Sequence, residues 1–173
     1  MVKIGKKAPK WNSTVYNGGN KETMSHEDLL GSWYVIYWWP FDFTGVCHSE
    51  VEGFQALESD FEAAGIKLIG ASCDSFHSHR TWFSDQEAFP NGAPSHPIIA
   101  DNTHQLTKDF GFYHKKVGCA LRATVLVSPE GIVMSAGANF LPVSRDPLDV
   151  LTTAKAFANG GACFLKQRQE LRG

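Results

Sequence analysis

One cysteine in this chain stands where a thiol can act as a nucleophile. Cys47 comes after the apolar run 33–39, and it begins a stretch whose apolar residues recur at helical spacing. Thr44 is the N-cap of that predicted helix, which makes Cys47 its third residue. Unpaired amides and the positive end of the helix dipole stabilise a thiolate at this position. The alternative is that Cys47 is a small core residue, since free cysteines are commonly buried.

Two predicted strands must hold this cysteine in place. Residues 33–39 are aromatic or β-branched throughout, which predicts a strand buried on both faces, and Pro40 ends it. The helix that starts at Thr44 ends at Gly65, where a left-handed cap is expected. The apolar run 66–72 predicts a second strand, so this part of the chain is a right-handed, parallel β-α-β unit.

The rest of the chain predicts a β-β-α half. The turn Pro129-Glu130-Gly131 joins two runs that indicate antiparallel strands, and Asp146-Pro147 is a cap and first-residue pair that begins a last helix. A β-α-β half followed by a β-β-α half is the order of elements in a thioredoxin-like α/β fold. The further predicted strands are 11–16, 98–100, 122–128 and 132–138, and the further helices are 76–88, 103–110 and 147–158.

Composition limits the possible functions. A chain of 173 residues with a net charge of −2 fits one globular domain and favours neither nucleic acid nor an anionic membrane surface as a partner. No signal-peptide core or membrane span is present, so we expect a cytoplasmic protein. The four cysteines form no Cys-x-x-Cys pair, and His77 and His79 would point to different sides of a helix. We therefore predict no bound metal and no cofactor.

The residues around Cys47 also resemble a known motif. The pattern Pro40-x-x-x-Thr44-x-x-Cys47, with Glu50 three positions further on, is similar to the peroxidatic motif of the peroxiredoxins. The branch it resembles is that of alkyl hydroperoxide reductase C and the typical 2-Cys enzymes. This chain has His48 where the usual motif has a proline.

A second segment carries the same resemblance. Residues 118–131 are similar to the family segment whose arginine leads into a strand beside the thiol, and that role falls to Arg122. The resemblance implies that Thr44 and Arg122 hydrogen-bond the thiolate or the peroxide, and that Glu50 orients Arg122. Without it, Arg122 would be read as a solvated surface residue and Glu50 as an exposed first-turn carboxylate. Residues 141–145 resemble a later family segment, which makes Arg145 a weaker candidate behind the site.

The resemblance implies a thioredoxin-like peroxiredoxin fold with a central mixed sheet flanked by helices. It further implies an antioxidant enzyme, a thiol-dependent peroxidase that reduces hydrogen peroxide and organic hydroperoxides through a sulfenic acid on Cys47. Residues 1–158 would form the peroxidase domain. Residues 159–173 would be a tail whose Cys163 resolves the sulfenic acid as a disulfide with the neighbouring subunit.

The expected partners also follow from the resemblance. They are a hydroperoxide, an external dithiol reductant such as thioredoxin or a dedicated disulfide reductase, and a second copy of the chain in a homodimer or a ring of ten. A dithiol oxidoreductase would need the missing Cys-x-x-Cys pair. The remaining alternative is a thioredoxin-like interaction module or holdase chaperone, which would not need an ionised thiol.

Overall fold

The computed structural model describes residues 1–161 of the chain. The main sheet has seven strands in the order β2-β1-β5-β4-β3-β8-β9, and β6 and β7 form a separate ribbon. The strands are β1 (Asn12–Asn17), β2 (Asn20–Ser25), β3 (Trp33–Trp38), β4 (Ile66–Ser72), β5 (Ile98–Ala100), β6 (Tyr113–His114), β7 (Cys119–Ala120), β8 (Arg122–Val127) and β9 (Val133–Asn139). The helices are α1 (Gly45–Ala56), α2 (Glu58–Ala63), α3 (Phe76–Phe83), α4 (Gln105–Phe110) and α5 (Pro147–Ala158).

Strand β3 lies inside the sheet because both of its faces are apolar. It pairs in parallel with β4 and antiparallel with β8. Val35 and Tyr37 belong to the core on one face, and Ile36 and Trp38 belong to the core on the other. The predicted β-α-β unit, the β-β-α half and the mixed sheet between helices are confirmed.

The single helix predicted from Thr44 to Gly65 is wrong, because the chain forms two helices there. The amide of Leu57 bonds to the Phe54 carbonyl at 3.1 Å, three residues back, which tightens the backbone and ends the regular ladder of α1. The chain continues as α2. Gly65 follows with a φ of +69°, in the left-handed conformation that the sequence predicts.

The helix predicted over residues 76–88 ends at Phe83. Beyond it, the carboxylate of Asp85 accepts hydrogen bonds from the amides of Glu87 at 2.9 Å and Ala88 at 3.3 Å. Such bonds offer the backbone an alternative to the helical ladder, so residues 84–95 form a loop. The bounds of α4 and β9 differ from those predicted by only one or two residues.

Helix α5 begins as its sequence predicts and packs against α1. The Asp146 side chain accepts a bond from the amide of Leu148 at 2.9 Å, and Pro147 is the first helical residue. A β-carbon on Gly53 of α1 would lie 2.9 Å from the Pro147 ring, so glycine permits this close approach. Within residues 1–161, no helix has both the length and the apolar character needed to cross a membrane.

Candidate active site

The thiol of Cys47 lies in a buried position in the first turn of α1. Strand β3 ends at Trp38, one residue before the predicted end, and buried Pro40 belongs to the loop that turns the chain into the helix. Cys47 is then the third helical residue, and only 1 % of it is exposed. At this position the unpaired amides and the positive end of the helix dipole favour a thiolate, as the sequence predicts.

Arg122 contacts the Cys47 sulfur from strand β8, whereas the sulfur itself belongs to helix α1. It is the first residue of β8, and the pairing of β8 with β3 brings it to the same end of the sheet as α1. Its Nη1 lies 3.4 Å from Cys47 Sγ and 2.5 Å from Glu50 Oε2, while its Nε donates to the Leu141 carbonyl at 2.6 Å. The guanidinium is therefore held at three points, beside a sulfur that can carry negative charge.

The charge on Arg122 is favoured despite its surroundings. Burial opposes the charged form, but hydrogen bonds to Cys47 and Glu50 outweigh it, and the pKa of the guanidinium is raised above its ordinary value. Only 5 % of the residue is exposed. Arg122 is therefore a permanent buried cation, and it does not lie on the surface as its residue type alone would suggest.

Glu50 is buried between two arginines. Besides its contact with Arg122, its Oε1 accepts the backbone amide of Arg145 at 2.9 Å and lies 3.2 Å from that residue's Nε. The Nε–H does not point at the oxygen in hydrogen-bond geometry. Burial lowers the pKa of Arg145, and the Glu50 carboxylate only partly offsets this. The Glu50 carboxylate thus contacts both Arg122 and Arg145. The alternative interpretation of Glu50 as an exposed first-turn carboxylate is wrong.

Thr44 occupies the N-cap position, but its hydroxyl does not cap the helix. The hydroxyl donates instead to the Phe41 carbonyl at 3.1 Å, across the loop that precedes α1. The expected cap bond is therefore missing, and the hydroxyl is directed toward the preceding turn instead. Thr44 is exposed at the start of the helix that carries Cys47.

A buried polar network fixes this same loop, and the sequence analysis missed it. The carboxylate of Asp42 accepts bonds from Trp39 Nε1 at 2.9 Å and Ser78 Oγ at 2.7 Å, and it lies 2.8 Å from His79 Nδ1. Its backbone amide donates to Asp74 at 3.0 Å. The feature of the sequence that could have indicated this network is Asp42 itself, an acidic residue between two phenylalanines in a loop next to a buried strand.

The other cysteines lie in different surroundings. Burial raises the pKa of Cys73 to about 12 and that of Cys119 to about 11, so both are neutral thiols near pH 7. Cys119 belongs to the short strand β7, just before the predicted strand 122–128. Cys163 lies outside the residues that the structure describes. In residues 1–161, His, Cys, Asp and Glu side chains nowhere gather in threes as a metal site requires.

Comparisons with known proteins agree on one family. A model described as the AhpC/TSA family matches residues 4–136. A Clostridium pasteurianum protein named as a peroxiredoxin in the rubredoxin operon is 33 % identical over 165 residues, which cover 94 % of this chain and 93 % of that protein. The mouse mitochondrial thioredoxin-dependent peroxide reductase is 31 % identical, and the match covers 87 % of this chain but 59 % of the mouse protein.

Solved structures give the same result. Enterococcus faecalis AhpC superposes with a TM-score of 0.87 at 27 % identity, over 94 % of this chain and 99 % of that one. Mycobacterium bovis AhpC gives a TM-score of 0.85 at 26 % identity, over 94 % and 96 % of the two chains.

Proposed function

This chain belongs to the AhpC/TSA family of thiol-dependent peroxidases, and from that premise we propose how its own residues carry out the reaction. Cys47 is the nucleophile. Its thiolate attacks one oxygen of a hydroperoxide, an S–O bond forms, and the O–O bond breaks. The sulfur gives up two electrons and becomes a sulfenic acid, and the leaving oxygen takes up a proton and departs as water or an alcohol.

The observation that carries this proposal is the contact between Arg122 and Cys47. A buried guanidinium 3.4 Å from the sulfur stabilises the thiolate before the reaction. The same cation stabilises the charge that develops on the peroxide oxygens, because it is already oriented by Glu50 and the Leu141 carbonyl. Glu50 and Arg145 act on the sulfur through Arg122, as positioning residues.

The loop before the helix supplies the second proposed contact. The Thr44 hydroxyl has lone pairs that can accept a hydrogen bond from a bound hydroperoxide, and rotation about its side chain can redirect its proton toward the sulfur. Pro40 follows the end of β3 and sets the direction of the loop. The anchored carboxylate of Asp42 keeps that loop in one conformation.

We assign the second half of the cycle to Cys163. Its thiol would condense with the Cys47 sulfenic acid, release water and form a disulfide that an external dithiol reduces. The donor would be thioredoxin or a dedicated disulfide reductase in the cytoplasm, and the disulfide would join two subunits of a homodimer. The neutral thiols of the partly buried Cys73 and the buried Cys119 support this choice, because both are poor nucleophiles near pH 7.

A turnover assay and a non-reducing gel test the assignment. With dithiothreitol as electron donor, Cys47→Ser should reduce peroxide consumption to less than roughly a tenth of the wild-type rate, because the nucleophile is lost. One equivalent of peroxide should produce a disulfide-linked dimer that disappears in Cys163→Ser and persists in the control Cys73→Ser. Turnover that survives in Cys47→Ser would refute the assignment of the nucleophile. A dimer that survives in Cys163→Ser would refute that of the resolving residue.

A further inference from the structure

His48, the residue after Cys47, connects the first turn of α1 to a distant loop. Its Nε2 lies 2.5 Å from the carbonyl oxygen of Ala88, and because a carbonyl can only accept, Nε2 carries the proton and donates it. The ring also packs edge-on against Phe89, with ring centres 4.9 Å apart, and lies near Trp82. Its Nδ1 lies 3.6 Å from the carboxylate of Glu52, one turn further along the helix.

The loop that accepts this bond is held in place by hydrogen bonds that do not involve His48. Its amides at Glu87 and Ala88 are bonded to Asp85. Further on, Gln55 of α1 donates to the Gly92 carbonyl at 2.9 Å. Residues 84–95 are therefore attached to α1 independently of His48, so a rupture at His48 frees the first turn and leaves the loop in place.

The first turn itself is weakly held. Thr44 makes no side-chain cap bond, and the turn has no acidic residue to favour its positive end. Among residues 45–48, side-chain hydrogen bonds to other parts of the described chain come from Cys47, through Arg122, and from His48. Oxidation of the thiolate to a neutral sulfenic acid removes the charge that attracts Arg122. After oxidation, the bond from His48 to the Ala88 carbonyl still ties this turn to another part of the described chain.

This turn must open before a second thiol can reach the sulfur. Cys47 is almost entirely buried, and a disulfide requires the two Cα atoms to come within about 7 Å in a restricted geometry. An external thiol likewise has to reach the buried sulfur before it can form a disulfide with it. The rate at which the turn opens therefore competes with attack by a second peroxide on the sulfenic acid.

We propose that His48 is a latch, a positioning residue whose bond to Ala88 and contact with Phe89 hold the first turn of α1 closed and so set how fast oxidised Cys47 becomes accessible to a thiol. The inference rests on the proposed function, in which Cys47 is oxidised and then resolved. The latch slows the attack of a thiol on oxidised Cys47, and so lengthens the time in which a second peroxide can oxidise its sulfenic acid further.

Hydrogen exchange of the reduced protein tests the latch without peroxide. The amide of residue 48 bonds to the Thr44 carbonyl at 2.9 Å, so its exchange reports the opening of the first turn. His48→Ala should speed this exchange about tenfold, the size expected for one hydrogen bond and one aromatic contact. His48→Gln, whose amide can still donate to Ala88, should restore slower exchange. His77→Ala, which removes an exposed histidine of α3, is the matched control and should match wild type.

A peroxide pulse followed by mass spectrometry gives the functional readout. The sulfinic fraction of Cys47 should fall several-fold in His48→Ala and stay unchanged in His77→Ala. Unchanged exchange in His48→Ala, exchange in His48→Gln as fast as in His48→Ala, or an unchanged sulfinic fraction would each overturn the latch. If wild-type Cys47 is not oxidised at all, the proposed function fails, and hydrogen exchange still decides whether His48 holds the turn.

Discussion

Replacing Arg122 with leucine should slow the reaction of Cys47 with peroxide by about 10²- to 10³-fold, the usual cost of losing one charged contact to a transition state. The structure supplies the magnitude. At the observed 3.4 Å and an effective dielectric constant of about 20, one unit charge stabilises a thiolate by about 5 kcal/mol. The nearby Glu50 carboxylate opposes part of that attraction, and a lower net value agrees with the expected loss of rate.

The substitution should leave the protein folded. Removing one partner of a buried ion pair usually destabilises a protein by about 3–5 kcal/mol, because the remaining charge is stranded. Here the Glu50 carboxylate keeps the Arg145 amide at 2.9 Å and the Arg145 guanidinium beside it. We therefore expect a loss of stability at or below the lower end of that range.

Two measurements separate a catalytic from a structural role for Arg122. Stopped-flow oxidation of reduced protein by hydrogen peroxide gives the second-order rate constant, and alkylation by iodoacetamide at fixed pH reports the thiolate. Arg122→Leu should lower both rates. Arg122→Lys should recover part of each, because lysine restores the positive charge but lacks the planar guanidinium with its several N–H donors. The control is Arg80→Leu, an exposed arginine over the Phe76 ring. Wild-type oxidation rates in a folded Arg122→Leu variant would refute the reasoning.

Two further predictions concern stability. The Glu58 carboxylate is bonded to His96 at 2.5 Å and to Ser95, and although burial opposes its charge, these bonds lower its pKa below the ordinary value of 4.5. Its stabilisation is present above that pH and is lost as pH falls through the lowered pKa, so Glu58→Gln should cost about 1 kcal/mol in urea unfolding at pH 7 and progressively less as the pH is lowered below 4.5; a cost that does not fall with pH would contradict this. Asp42→Asn should lower the free energy of unfolding by about 3 kcal/mol, because one accepting oxygen is replaced by an NH2 group that faces a buried donor and the negative charge beside His79 is lost; a change of less than about 1 kcal/mol in the same measurement would show that the network is not stabilising.

Local sequence was sufficient to place Cys47 in the first turn of a helix. An apolar strand, a proline, a cap residue and a helical repeat all lie within about 20 residues of Cys47, and each acts through the backbone of its own segment. The order of elements predicted the two halves of the sheet for the same reason. The break between α1 and α2 at Leu57 and the early end of α3 were missed because they depend on one or two local hydrogen bonds, which leave no periodic signal in the sequence.

Tertiary structure decided what surrounds the sulfur. Arg122 is 75 positions away from Cys47 along the chain, and only the pairing of β8 with β3 brings its guanidinium to the thiol. Glu50 is buried because two distant arginines neutralise it, while its residue type alone is equally consistent with an exposed carboxylate. The contact of His48 with Ala88 likewise spans 40 positions. Periodicity encodes which face of an element is buried, whereas the partners on that face follow from the packing of the whole sheet.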